Sequence, residues 1–392
     1  MILPKLTRFI ALATLIFVNT AVMAPAHEID PAIADVSVDQ DVATIDIQVS
    51  LESLLADMDL SILDDTEQAP QAELYGQFRA MDAEPLRAEL DRRWADLAGR
   101  FMLQAGDVRV PLSLIAAEIP PVGDTDLART TMLTLRADLP TDDTPVQFGW
   151  AAQYGDLVVR QASDDDNAYA GFLSNGDLSD PLPRVGARED GPLTVFLRYI
   201  PVGFEHIVPL GVDHILFVLG LFFFSLHLRP ILMQVTAFTI AHTLTLALAT
   251  LESVTIPGSI VEPLIAASIV YVGIENLIGR GAVKARTALV FVFGLLHGLG
   301  FASVLGDFGI SASSFVGALL GFNVGVEIAQ LAVILSAFVL ILIATRLARI
   351  APLPEAEAPA HNLQVMYRSV AVVGSIIISL IGAWWTIERV FF

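Results

Sequence analysis

The chain has 392 residues, of which 54% are hydrophobic, and its mean hydropathy of +0.64 excludes an ordinary soluble protein of this length. It contains no cysteine, which excludes disulfides and thiolate metal sites. The net charge of −21 arises in one segment, because residues 27–199 carry 33 acidic and 12 basic side chains while the rest carries equal numbers of each. Such a segment repels nucleic acid, which we do not expect as a partner.

Residues 1–26 have the pattern of an export signal peptide. Two basic residues precede the apolar stretch Phe9–Val18, and small residues at 24–26 suit a cleavage site. Cleavage there would leave His27 at the mature N-terminus, where its amine and imidazole could chelate a metal together. We expect residues 27–199 to follow as an acidic domain in the periplasm.

Residues 27–199 are predicted to form a β-sandwich-like domain with a helical insertion. Apolar and polar residues alternate with a period of two, which is typical of half-buried strands, in Val36–Val49, Thr131–Leu139, Val146–Trp150, Leu157–Val159 and Leu193–Tyr199. A helix is predicted from Glu84 to Ala98, because Pro85 suits a first turn and Gly99 follows its end. The stretch Ser163–Pro183 is predicted to be a long loop.

Residues 200–392 are predicted to form a polytopic helical membrane domain. Six apolar stretches are each long enough to cross about 30 Å of hydrocarbon as a helix. They lie near 208–228, 231–250, 259–279, 286–305, 314–345 and 367–387. The fifth is longer than a span requires and contains Gly321, Asn323 and Gly325, so we expect it to be tilted or broken there.

The orientation follows from the basic residues near the spans. Seven of them fall on one side if the spans alternate, namely Arg229, Arg280, Lys284, Arg286, Arg346, Arg349 and Arg368. Basic residues concentrate on the cytoplasmic side of a membrane. We therefore expect an inner-membrane protein with residues 27–199 and the C-terminus in the periplasm.

Ionisable residues recur within the predicted spans, although each costs about 2.5–3.5 kcal/mol near the bilayer centre. Three histidines and several acidic or amide side chains fall at similar depth when residues are counted from the span ends at about 1.5 Å each. A layer of imidazoles and carboxylates suits Ni²⁺, Co²⁺, Zn²⁺ or Fe²⁺ better than Cu⁺. Glu275 and Asn276 lie deeper toward the cytoplasm, as a second station or an exit.

Several ordered motifs over about 200–345 resemble the HupE/UreJ family of hydrogenase and urease accessory membrane proteins. The motifs are Phe204–Ile207, Gly211–Phe217, Thr236–Thr243, Val261-Glu262, Glu275–Leu277, Phe293–Ala302 and Phe322–Glu327. The resemblance implies a nickel or cobalt permease. The element formed by His206, Asp213 and His214 is similar to the signature element of nickel/cobalt permeases.

The leading hypothesis is a permease for a divalent transition metal (Ni, Co or Zn) in the lipid bilayer. The predicted metal ligands are Asp213, His214, His242, His297 and Glu327. Accessory positions are His206, Glu262, Glu275, Asn276 and Asn323, with Glu262 guarding the periplasmic entrance. No P-loop motif is present, which argues against ATP drive within this chain.

Two other functions use the same residues. One is an intramembrane zinc-dependent hydrolase, in which three ligands hold Zn²⁺ and a carboxylate acts as general base. The other is a metal-sensing or accessory assembly protein, in which the acidic domain binds a periplasmic protein partner. The sequence sets neither the metal nor the oligomeric state.

Overall fold

The computed structural model describes residues 31–391 except 40, 64–65, 67–68, 126–127, 164–167, 187, 189, 252, 255, 280–281, 301–311 and 351–362. The predicted signal peptide and His27 lie outside the described residues. The chain divides into two compact units. Of the described residues, 31–195 and 312–316 belong to the N-terminal unit, and 196–300 and 317–391 belong to the C-terminal unit.

The N-terminal unit contains two β-sheets. Its strands are β1 (Ala32–Asp39), β2 (Val42–Ser50), β3 (Phe101–Ala105), β4 (Val108–Val110), β5 (Ser113–Glu118), β6 (Thr130–Asp138), β7 (Val146–Trp150), β8 (Leu157–Gln161) and β9 (Ala170–Leu173). The six-stranded sheet has the order β5-β6-β2-β1-β8-β9, and the three-stranded sheet has the order β4-β3-β7. Strands β1 and β8 pair in parallel, and the other pairs are antiparallel.

Alternating apolar residues explain why these segments form strands around one core. In β2 every second residue, including Ile45 and Ile47, is fully buried while its neighbours are half-buried. Each buried isoleucine contributes about 1.5–3 kcal/mol. Residues of both sheets and of the helices share this core. Four of the predicted alternating runs are confirmed as strands: Val36–Val49 covers the antiparallel pair β1 and β2, and the other three correspond to β6, β7 and β8.

Three helices lie between the strands of this unit: α1 (Leu51–Leu55), α2 (Ala72–Arg79) and α3 (Ala83–Ala98). The predicted helical insertion is confirmed by α3, in which Pro85 lies in the first turn and Gly99 follows the end. The loop predicted over Ser163–Pro183 is wrong in part, because β9 lies within it. Four residues, Ala170–Leu173, pair there with β8 and form the edge of the six-stranded sheet.

The C-terminal unit is helical. Its helices are α4 (Pro192–Ile207), α5 (Val212–Phe224), α6 (Leu228–Thr250), α7 (Gly258–Ile278), α8 (Val283–Gly300), α9 (Ala312–Ile350) and α10 (Leu363–Phe391). Five of them, α6 to α10, are long and apolar enough to cross a membrane, and α4 with α5 adds a sixth candidate if the bent pair is one span. The chain is therefore a membrane protein.

The first predicted span, 208–228, is not one continuous helix. Helices α4 and α5 meet at an angle of 78° across residues 208–211. Pro209 has no amide hydrogen and its ring disfavours a continuing helix. The predicted strand Leu193–Tyr199 is also wrong, because these residues form the first half of α4.

Helix α9 is continuous through Gly321, Asn323 and Gly325, so the predicted break does not occur. The glycines serve packing instead. A Cβ atom at either glycine would collide with a carbonyl oxygen of α4, and one at Gly203 of α4 would collide with the Phe322 carbonyl oxygen. Glycine at these positions lets the two backbones touch, as in many membrane helix pairs.

Candidate metal centre

The break between α4 and α5 brings two histidines together. His206 lies in the last turn of α4 and His214 in the first turn of α5. Their ring centroids are 4.9 Å apart. A Cβ atom at Gly211 would collide with the His206 carbonyl oxygen, so this turn requires glycine.

Helices α6 and α8 supply two further histidines, His242 and His297. A Cβ atom at Gly294 of α8 would lie 2.5 Å from the Phe238 carbonyl oxygen of α6, so the two backbones are in direct contact. The His297 ring centroid is 4.9 Å from that of His214, and the His242 centroid is 5.9 Å from it. All four rings are buried in one group, which we call the imidazole cluster.

Three members of the imidazole cluster have metal-binding geometry. One ring nitrogen from each of His206, His214 and His242 lies within 4.8 Å of the other two. An ion with metal–nitrogen bonds of about 2.1 Å in a tetrahedral site requires nitrogens about 3.4 Å apart. Small rotations of the rings would bring the nitrogens from within 4.8 Å to about 3.4 Å of one another, so these residues fit a borderline divalent metal.

Hydrogen bonds orient three of the four rings in the same way. In each, the Nδ1 atom faces an oxygen acceptor: His214 faces Asp213 Oδ1 at 2.9 Å, His242 faces Asn323 Oδ1 at 3.1 Å, and His297 faces the Phe293 carbonyl oxygen at 2.8 Å. An acceptor at Nδ1 places the proton there and leaves the lone pair on Nε2. The Nε2 atoms of these rings are buried without a hydrogen-bond partner among the described residues. This arrangement is typical of metal-binding histidines.

Asn323 and Asp213 act on the rings rather than filling the centre of the cluster. The Asn323 amide nitrogen donates to the Leu319 carbonyl oxygen at 2.8 Å, which turns its oxygen toward His242. Asp213 Oδ1 also accepts the backbone N–H of His214 at 2.7 Å. Each of these side chains is thus held by a hydrogen bond to the backbone of its own helix, and in that position its oxygen orients a histidine ring.

Aromatic side chains enclose the imidazole cluster. Phe217 and Phe238 have ring centroids 5.2 Å and 5.0 Å from that of His297, and Phe322 lies 5.3 Å from His206. These rings are fully buried. They exclude water, which strengthens electrostatic interactions with anything bound among the imidazoles.

The other predicted residues lie in separate contacts. Glu327 is half-buried, and its Oε1 accepts a hydrogen bond from the Thr236 hydroxyl at 2.7 Å. Glu262 is half-buried on α7, and its backbone oxygen accepts a bond from Arg389 at 3.1 Å. Neither belongs to the described group of nitrogens that could share one ion.

Glu275 and Asn276 lie in a second polar centre. Glu275 forms an ion pair with Arg286, whose exposure is 1%, and the Arg286 guanidinium stacks 4.2 Å from the Phe224 ring centroid. Asn276 donates to the Gly220 carbonyl oxygen at 2.8 Å. From the sequence, Arg286 is counted among the basic residues between spans, and its burial is not predicted. The signal that could have found it is Glu275, because an acidic residue within a span commonly pairs with a basic one.

These features lie within the range that a known family covers. A family model described as HupE / UreJ protein matches residues 184–389, more than half of the chain. The chain belongs to the HupE/UreJ family. The predicted resemblance is thereby confirmed, and the match contains the whole imidazole cluster of this HupE/UreJ protein. Searches of curated proteins and of solved structures found no match.

Proposed function

We propose that this HupE/UreJ protein is a membrane permease for a divalent transition metal of the nickel or cobalt type, with the imidazole cluster as its binding site. The observation that carries the proposal is the shared orientation of His214, His242 and His297. Each ring is held through Nδ1 and presents a buried Nε2 lone pair. Imidazole nitrogen binds Ni²⁺, Co²⁺ and Zn²⁺ well and hard cations such as Mg²⁺ poorly.

The composition of the cluster favours a permease over a zinc-dependent hydrolase. A hydrolase requires a carboxylate positioned as general base beside the metal. Among the described residues, the group whose atoms could share one ion consists of imidazoles alone. The nearest predicted carboxylate, Asp213, is hydrogen-bonded to His214. Neutral ligands also suit release, since no atom that would bond to the ion carries a full negative charge.

The proposal is tested by binding and flux measurements on one preparation. Nickel, cobalt and zinc are titrated into purified protein and then assayed for uptake into proteoliposomes. We expect saturable uptake of one ion, and a loss of affinity of about 10- to 100-fold in His214→Ala or His242→Ala. His227→Ala is the matched control, because His227 is exposed and bonded to Ser225 outside the cluster. Stoichiometric, tightly retained zinc without flux would contradict the permease.

We also propose that the N-terminal unit and the C-terminus of α10 lie in the periplasm and that the membrane is the inner membrane. The support is the charge bias of the loops, which persists with six basic residues once the buried Arg286 is set aside. The absence of cysteine allows a direct test. An impermeant maleimide should label Ser253→Cys from outside the cell and leave His227→Cys unlabelled until the membrane is opened.

A further inference from the structure

A line of polar contacts leaves the imidazole cluster between helices α6 and α9. We call it the polar seam. Its three cross-helix contacts are His242 Nδ1 to Asn323 Oδ1 at 3.1 Å, Thr239 Oγ1 to Gln330 Oε1 at 3.4 Å, and Thr236 Oγ1 to Glu327 Oε1 at 2.7 Å. The seam thus begins at a proposed metal ligand and includes a carboxylate, Glu327, which lies between Asn323 and Gln330 along α9.

The spacing of these residues gives the seam a direction. His242, Thr239 and Thr236 are successively three residues apart, so each lies beside the next on α6. Over the six residues the line turns by about 120° around the helix, from the buried His242 to the exposed Thr236. At about 1.5 Å per residue they extend about 9 Å from the cluster toward the Leu228 end of the helix. Thr236 is still about 12 Å from that end by the same rise. By this count the seam lies within the length of the span, and it runs from the buried His242 to a contact between Thr236 and Glu327 that is exposed at the protein surface.

Packing alone explains the polar seam poorly. Gln330 is fully buried, yet its Nε2 atom has no hydrogen-bond partner in the described part of the chain, and its oxygen is 3.4 Å from the Thr239 hydroxyl. No ion pair of Glu327 occurs among the described side chains. Polar groups at this depth are costly and commonly mark ion pathways. Apolar residues would fill the same interface without that cost.

The second polar centre is a poorer route for a cation. Its carboxylate, Glu275, is already neutralised by the buried Arg286 guanidinium, which also contacts Gln234 and the Gly220 carbonyl oxygen. The ion pair has no net charge, so it offers a divalent cation no uncompensated negative charge, and a guanidinium has no lone pair that could bind the ion. The polar seam has hydroxyl, amide and carboxylate oxygens instead.

We propose that the polar seam is the path by which the metal moves between the imidazole cluster and the Leu228 end of α6, with Thr239, Gln330 and Glu327 as oxygen ligands along it. The inference rests on the proposed permease function. Passage exchanges each cross-helix hydrogen bond for a bond to the ion. Conduction requires several sites, each of which binds the ion weakly enough to release it to the next. The oxygen atoms of the seam suit this role, because oxygens bind borderline metals more weakly than imidazoles do.

The test separates binding from movement. Gln330→Leu, Thr239→Val and Glu327→Gln are made in the full chain, and each is measured for Ni²⁺ and Co²⁺ binding and for proteoliposome uptake. We expect equilibrium affinity to stay within about threefold of wild type and uptake to fall roughly tenfold or more. Thr345→Val is the matched control, because Thr345 is a buried residue of α9 whose hydroxyl donates to the Ile341 carbonyl oxygen of its own helix. It should change neither quantity.

Two results would overturn the path. Unchanged uptake in Gln330→Leu and Glu327→Gln, with binding intact, would show that the ion travels elsewhere. Loss of affinity equal to the loss of uptake would show that the seam only supports the cluster. Failure of the wild-type chain to bind either metal would instead remove the proposed function and the path together. Thr239→Val keeps the test decisive if a variant at Gln330 does not fold.

Discussion

The close contact of α6 and α8 makes Gly294→Ala a sharp test of how the imidazole cluster is held. The new Cβ atom would lie 2.5 Å from the Phe238 carbonyl oxygen and 2.9 Å from the Ala241 Cβ atom. Ordinary contact between such atoms requires about 3.5 Å. Helix α8 must therefore move back by about 1 Å and carry His297, less than one turn away, with it.

Such a displacement should weaken metal binding more than folding. A misplaced ligand shell costs about 10- to 100-fold in metal affinity, and overpacking costs about 1–3 kcal/mol of stability. Titration of the purified variant with Co²⁺ measures the affinity, and the Co²⁺ absorption spectrum reports on the ligands. Gly300→Ala on the same helix is the control, because its Cβ atom would meet side-chain ends, Ile265 Cδ1 at 3.0 Å and Val261 Cγ1 at 3.9 Å, and not backbone. Wild-type affinity and spectrum in Gly294→Ala would refute the role of backbone contact in setting the cluster.

Two predictions concern the N-terminal unit within the full chain. Arg129→Met should destabilise it by about 3–5 kcal/mol in urea unfolding, because it strands the fully buried carboxylate of Glu52, and adding Glu52→Leu should restore part of the loss. The Arg100 guanidinium holds the pKa of Asp57 below its ordinary value of 3.8, so the pair stabilises the fold above that pH and ceases to do so as the pH falls through the lowered value. Asp57→Asn should therefore cost about 0.5 kcal/mol at neutral pH and progressively less in acid, and equal losses at both pH values would contradict this.

Sequence patterns predicted those elements whose residues carry their own periodicity. Strands β2 and β6 and helix α3 follow from alternation or from helix signals, and the five long helices follow from apolar length alone. Leu193–Tyr199 also alternates, yet it is helical. The contact of α4 with α9, in which Gly321 faces Phe196 of this segment and Gly203 and Gly325 continue the contact, is a tertiary feature that no local pattern contains.

The sequence predicted that several polar residues of different spans lie at a similar depth, but it did not predict which of them meet. Counting along the spans predicts a common layer for His242 and His297. Such counting cannot show that the chain bends by 78° at residues 208–211, or that this bend places His206 beside His214 and His242. His206 was therefore predicted only as an accessory residue. Glu327 is predicted at the same depth, but its contact is with Thr236, since depth does not determine which side of a helix faces the cluster.

The broken helix also explains the position of Asp213. Helix α5 begins beside the imidazole cluster, and a helix N-terminus carries a partial positive charge that opposes a cation. Asp213 lies in that first turn, accepts the His214 backbone N–H, and holds the His214 ring through Nδ1. One carboxylate thus offsets the helix charge and orients a ligand. We infer that its negative charge makes a cluster of neutral imidazoles attractive to a divalent cation at the start of a helix, where the uncompensated dipole would favour an anion.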